Sequence, residues 1–272
     1  MFKERKYIFG AVLVILILLF CLILSIKSYT AKVEISFFDI GQGDSSLIKF
    51  PNNKIILVDG GPDNLVLNRL GKYLPYYERK IDLVVLSHFH DDHIMGLIEI
   101  INRYKVGSLL YMKGSKDSPL LKELLNKAQK NNVKVIALDK KMEINYQNNC
   151  VIKLLNPLSL KIKIDDNNSV IMQVNCGLLK AVLTGDSNSE VEKALLNTKE
   201  NWSTSIFKAS HHGSKTANSE EFLKALKPKM IVVSVGVNNR FNHPSPETLE
   251  LFKKLKINYK RTDINGSIIL TK

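Results

Sequence analysis

Ser87-His88-Phe89-His90-Asp91-Asp92-His93 holds three of the chain's six histidines and two aspartates at the end of an apolar run. Two more, His211 and His212, stand side by side in ASHHGS, and His243 stands in FNHPSP. His88 and His90 are two positions apart, so on extended backbone they project to the same side and can hold one cation. Asp92 and His93 fall at the turn into the next helical segment and can face a second cation. Imidazole mixed with carboxylate is the ligand set expected of zinc, manganese or iron.

The same logic recurs. LLKAVL closes on Thr184-Gly185-Asp186. A carboxylate there can bridge two cations while Gly185 lets the backbone come close; a lone Gly-Asp after a strand is otherwise a turn. IFKASHHGS delivers His211 and His212 at the end of another apolar run. Three strand ends carrying ligand residue types describe one site, since rigid strands present functional groups at their ends.

The elements that must carry these residues are legible as patterns. VEISFFDI, SSLIKF and KIILVDGG read as a meander of short strands. IDLVVLS, VGSLLYM and VKVIAL read as strands alternating with the helical segments HIMGLIEIINRY and SPLLKELLNKAQK. CVIKLLNP, SVIMQVNC and LLKAVLTGD form a second strand set. Helices are expected near 188–199, 219–227 and 246–256, with strands TSIFKAS and MIVVSVG between them and INYKR and SIILT closing the chain. Meander plus αβ alternation in both halves predicts a mixed α/β, four-layer αββα sandwich.

As a set, HFHDDH, LTGD and HHGS resemble the metallo-β-lactamase fold. More narrowly, FFDIGQGDSSLI, ILVDGG, HHGS, NHPSP and RTDINGSI resemble, in order and spacing, the metallo-β-lactamase-like domain of ComEC-type DNA-uptake competence proteins, from about Val33 to Leu270. The resemblance implies a hydrolase with two divalent ions, zinc or manganese. His88 and His90 would serve one ion, Asp92 and His93 the other, and Asp186 would bridge. Either His211 or His212 would complete the second position, a choice the sequence leaves open. Asp92 is also expected to be catalytic. Asp59 of VDGG matches an acidic residue that orients a ligand from behind. Asp39, Gln42 and Asp44 of DIGQGD match residues shaping the floor of the site; a glycine-rich turn held by side-chain hydrogen bonds is the alternative.

Residues 94–210 contain no histidine where the broader fold supplies one more. Asp165, Asn167, Asn168 or water is expected to take that place, which shifts preference from zinc towards manganese. His243 is expected to act as an acid or phosphate contact, or to cap the helix opening at Ser245 and Pro246. Lys215, flanked by Ser214 and Thr216, is expected to meet a phosphate or simply to be solvated.

A formal net charge of +13, with 45% apolar residues, excludes a disordered chain and suits a polyanionic partner such as DNA or an anionic surface, or mere solubility. Tyr7 to Ile26 carries no charge and follows Lys3, Arg5 and Lys6. That pattern predicts an N-terminal transmembrane helix within residues 1–30, a hydrolase domain over 31–272, and a single-pass protein of the cell membrane with its catalytic domain extracytoplasmic; a cleaved signal and a secreted protein is the alternative. Cys150 and Cys176 lack C-x-x-C spacing, and a bridge between them stays open. The expected reaction is metal-assisted phosphodiester hydrolysis by a DNA nuclease. The alternatives are a metallo-hydrolase of a non-nucleic ester or small phosphodiester, and a non-catalytic DNA-binding competence module.

Overall fold

The computed structural model describes residues 2–29, 32–114, 118–146, 150–157 and 169–271. The first sheet runs through β1 (Glu34–Phe37), β2 (Ser46–Lys49), β3 (Ile55–Val58), β4 (Lys80–Val85), β5 (Lys105–Met112) and β6 (Lys134–Leu138), with β14 (Ile268–Thr271) beside β1. The second runs in chain order through β7 (Met142–Tyr146), β8 (Cys150–Leu155), β9 (Ile171–Cys176), β10 (Leu179–Leu183), β11 (Ile206–Lys208), β12 (Met230–Val233) and β13 (Asn258–Arg261). Each has an antiparallel half and a parallel half. β14 to β3 pair antiparallel and β3 to β6 parallel; β7 to β10 pair antiparallel and β10 to β13 parallel.

Alternation along the strands decides the layers. Ile35, Phe37, Ile56, Leu83 and Val85 of the first sheet share one core with Ile152, Met172, Val174, Ala181 and Leu183 of the second. The opposite faces are also apolar. Leu57 and Val84 pack against α2 (Leu65–Tyr73), α3 (Asp91–Arg103) and α4 (Pro119–Lys130), while Val182, Phe207 and Ile231 pack against α5 (Ser189–Leu196), α6 (Glu220–Leu226) and α7 (Pro246–Lys254). The result is the expected order of helix, sheet, sheet, helix, completed by α8 (Thr262–Asn265) before β14. Strands buried on both faces explain why IDLVVLS and MIVVSVG read as unbroken apolar runs. Cys150 and Cys176 are directly paired in the β8–β9 ladder and joined by a disulfide, and both face the core between the sheets.

The N-terminal expectation is corrected. The segment forms one helix, α1 (Phe2–Tyr29), but among the described residues no helix is long and apolar enough to cross a membrane. The transmembrane helix, the membrane as a partner, and the single-pass cell-membrane localisation with an extracytoplasmic domain therefore do not stand, nor does anything here support the secreted alternative.

Candidate metal centre

The functional side chains sit where strands of both sheets end on the same rim. β4 ends at Val85 and the chain turns through Ser87 and His88 into α3, whose first turn carries Asp92 and His93. Burying the Leu83 and Val85 side chains, about 1.5–3 kcal/mol each, fixes that strand end. From the second sheet, β10 leads to Asp186 and β11 leads to His211 and His212. The return at Gly185 has φ 52°, and a Cβ there would stand 2.5 Å from the Ser169 side chain, so the close approach expected of this glycine is real. Gly43, at φ 127°, lets the DIGQGD loop pass 2.2 Å from the Asp92 carbonyl as measured from a hypothetical Cβ.

His211 (φ 48°, ψ 50°) and His212 (φ 52°, ψ 25°) are consecutive left-handed residues, a conformation that costs a non-glycine residue about 1–2 kcal/mol. The surroundings over-determine it. The Ser210 N–H donates to Asn218 Oδ1, the Asn218 amide donates back to the carbonyls of Ser210 and Ser214, and the His211 N–H donates to the Gly185 carbonyl. Buried Glu192 anchors this turn by accepting from the N–H groups of Asn218 and Ser219 and from Ser210 Oγ. Strain held this firmly marks a turn kept for what its side chains do.

Asp186 is the hub of the cluster. Its carboxylate lies 3.4 Å from His212 Nε2, 3.5 Å from His93 Nε2, 3.8 Å from His211 Nε2 and 3.9 Å from His88 Nε2. Asp92 reaches His212 Nε2 at 3.3 Å and His93 Nε2 at 3.8 Å. Asp92, His93, Asp186 and His212 each offer a ligand atom, all within 4.8 Å of one another. His90 lies alongside, its ring 4.5 Å from that of His88, outside that group of four.

Each buried ring is aimed from behind. Asp59 accepts from His93 Nδ1 at 3.0 Å and from the Ser87 N–H at 2.7 Å, which leaves His93 Nε2 turned inward. His212 Nδ1 donates to the Ser234 carbonyl at 2.9 Å, with the same effect. His88 Nδ1 lies 3.1 Å from Ser87 Oγ and 3.3 Å from Ser169 Oγ. His88 Nε2, His93 Nε2, His212 Nε2 and Asp186 Oδ1 are all buried without a hydrogen-bond partner. Buried polar atoms in folded proteins are as a rule satisfied, so four converging orphans of imidazole and carboxylate type fit a divalent cation.

The electrostatics agree. Burial alone would lower the pKa of His93 and His212, but Asp186 with Asp59, and Asp186 with Asp44, raise them, His93 well above its usual range and His212 to about 10. Against burial, His212 and His93 hold Asp186 well below the carboxylate range. Burial and the charge of His93 push His88 well down, leaving a neutral imidazole.

The remaining candidates divide. Asp44 is buried, with Oδ1 3.5 Å from His212 Nδ1, and belongs to a second close group with Asp59 and His93. Gln42 accepts from the Gly236 N–H through Oε1 at 3.3 Å. Asp39 is not brought to the cluster: its carboxylate pairs with Arg69 at 3.0 Å, and its N–H donates to Ser267 Oγ. Lys215 is exposed. His243 is half-buried, its ring 5.5 Å from that of His211, and Ser245 Oγ itself caps α7 by accepting from the Thr248 N–H. Asp165, Asn167 and Asn168 lie outside the described residues; the next residue, Ser169, stands between His88 and the backbone N–H of Asp186, from which its Oγ accepts at 2.9 Å.

Sequence reading passed over Lys208. At 2% exposure its ammonium pairs with Asp44 and lies 4.0 Å from Asp186. Its pKa is raised because Asp44 and Asp186 outweigh the burial that would lower it. The signal was available, since a lysine inside the apolar strand SIFKAS needs a buried counter-charge. Ser87, Ser169 and the Ser234 carbonyl gave no such signal, because a small hydroxyl or a main-chain oxygen is anonymous until the fold aims it.

Two sheets flanked by helices, with histidines and aspartates gathered where their strands end, define a metallo-β-lactamase class of protein. The family model of the metallo-beta-lactamase superfamily matches residues 38–235, and the chain belongs to that superfamily. Among curated relatives it is 28% identical to ComE operon protein 3 of Bacillus subtilis over 256 residues, covering 88% of this chain and 33% of the relative. It is 25% identical to Recombination protein 2 of Haemophilus influenzae, covering 98% and 32%. The chain thus spans about a third of the length of the relatives it matches. Among solved structures, the metallo-beta-lactamase fold protein YhfI from Bacillus subtilis superposes with a TM-score of 0.59 at 15% identity, over 88% of this chain and all of that one. That likeness speaks for the fold.

Proposed function

We propose that residues 31–272 form a metal-dependent phosphodiesterase acting on nucleic acid, a DNA nuclease with two divalent ions, manganese or zinc. The observation that carries this reading is the convergence of the unpartnered His88, His93 and His212 Nε2 atoms with Asp186 Oδ1. Asp186 would bridge, Asp92, His93 and His212 would hold one ion, and His88 with His90 the other. Bound divalent ions would lower the pKa of water and neutralise charge on the phosphoryl oxygens. The protein's own contribution is orientation. Asp59 and the Ser234 carbonyl keep the rings of His93 and His212 from turning, and the carboxylate of Asp92, 26% exposed, meets both the cluster and solvent. His243, beside His211, is placed to meet a leaving group or a phosphate oxygen. Its pKa, lowered to about 4 by burial and by His211, keeps it neutral at pH 7, with one ring N–H to donate.

The net charge of +13 supports a polyanionic substrate. The resemblance to ComEC-type competence proteins and the similarity to Recombination protein 2 support DNA, and bring DNA uptake into the proposal. Added manganese or zinc is expected to let the chain degrade end-labelled linear DNA, with the activity abolished in His90→Ala. DNA left intact by metal-loaded protein, with turnover of a small ester instead, would replace this reading with the non-nucleic one; bound DNA without any turnover would support a binding module.

A further inference from the structure

A ladder of rings leads from the cluster to solvent. His211, 3.8 Å from Asp186, meets His243 edge to face with ring centroids 5.5 Å apart. His243 stacks on Phe241 at 5.9 Å with the ring planes 19° apart, and the Arg240 guanidinium lies over the Phe241 ring at 4.8 Å. Phe241 is 48% exposed, on the loop between β12 and α7. The loop is not slack. Asn239 Nδ2 donates to the carbonyls of Gly236 and His243, the His243 N–H donates to Asn239 Oδ1, and the Ser245 N–H donates to the Gly213 carbonyl. A half-exposed phenyl ring thus stands at a fixed place beside the candidate reaction centre.

An apolar ring kept in water at that place, with an exposed guanidinium as its movable cover, matches what an unpaired nucleobase binds: a π-face to stack on and a cation for the adjoining phosphate. A duplex keeps its bases stacked on one another and offers none to a single protruding ring. We infer that Phe241 and Arg240 form a subsite for one unpaired nucleobase of a single-stranded nucleic acid, the base taking the place of Arg240 on the ring while the guanidinium turns to the neighbouring phosphate. The inference rests on the nucleic-acid reading of the site and narrows its substrate to single strands.

The test is equilibrium binding by fluorescence anisotropy, with the full chain in chelator so that nothing is cleaved. The probes are a labelled oligothymidylate, an abasic strand of equal length, and a duplex. The chain is expected to bind the base-bearing strand about tenfold more tightly than the abasic one. Phe241→Ala is expected to erase that preference, and Phe241→Trp to restore it. Arg240→Ala is expected to weaken base-bearing and abasic strands alike. Equal affinity of the unaltered chain for the two strands, or a preference that survives in Phe241→Ala, overturns the inference. Turnover of bis(p-nitrophenyl) phosphate by the metal-loaded, unaltered chain separates the two levels. If that turnover is present without base preference, only the subsite falls; if it is absent while base preference holds, the hydrolase reading falls and the subsite stands.

Discussion

The floor and the rim of the candidate site are built on different principles. On the floor, every ring has one nitrogen tied to an oriented partner and the other left inward: His93 to Asp59, His212 to the Ser234 carbonyl, His88 to two serine hydroxyls. These side chains are buried, their charges are coupled, and the backbone of one of them, His212, is strained to place it. On the rim, His243, Phe241 and Arg240 are held by stacking and a few loop hydrogen bonds, and they meet water. A floor of that kind fixes the positions of charges and tolerates little change, whereas a rim of stacked rings can be altered without disturbing what lies beneath it.

Substitutions should grade accordingly. Asp186→Asn removes the hub of the floor and is expected to lower metal affinity by more than the roughly 10- to 100-fold that an orienting partner contributes. Metal content after dialysis reads this, and stoichiometric metal in the variant would deny Asp186 its central place. Lys208→Met leaves Asp44 buried without its cation and is expected to cost about 3–5 kcal/mol of folding stability, visible in urea unfolding. An unchanged midpoint would show that Asp44 has another means of compensation.

Asp59→Asn keeps the shape but loses the charge behind His93, with metal affinity expected to fall by about 10- to 100-fold and unfolding to change little. In chelator, His212 supplies a pH test with a definite sign. Its pKa is raised to about 10 by Asp186 and Asp44 against burial. Its contribution is then complete below the unfolded value of about 6.5 and lost as pH rises through 10, so the melting temperature should fall over that window, and less so in His212→Gln. A melting temperature that rises there would refute the coupling. At the smallest end stands Lys215→Ala, a change of an exposed side chain, expected to alter stability by less than about 0.5 kcal/mol.

The sequence was most informative where burial and chemistry coincide. The apolar run before His88 and those before Asp186 and His211 announced strand ends, and they became β4, β10 and β11. Helices expected near 188–199, 219–227 and 246–256 form at Ser189–Leu196, Glu220–Leu226 and Pro246–Lys254, each preceded by Asn or Ser. α2 escaped notice because its nine residues include Gly71 and bury only Val66 and Leu70. β7 escaped because MEINY is an edge strand with no fully buried residue, so its alternation has no apolar contrast. The choice between His211 and His212 could not be read from adjacent identical residues. Left-handed backbone at both sends His212 into the four-residue group and leaves His211 24% exposed beside His243. The N-terminal expectation, read from the uncharged run and the basic residues before it, failed: the segment is helical, yet among the described residues no helix is long and apolar enough to cross a membrane.

The pairing of β1 with β14 has one more consequence. Glu34 and Thr271 are direct partners in one ladder, so the polypeptide enters and leaves the sandwich through neighbouring positions on a single sheet edge. A unit of that shape behaves like a cassette. It can be spliced into a larger host at one point, or circularly permuted by a short linker across that edge, while the floor that gathers His88, His93, Asp186 and His212 keeps its geometry.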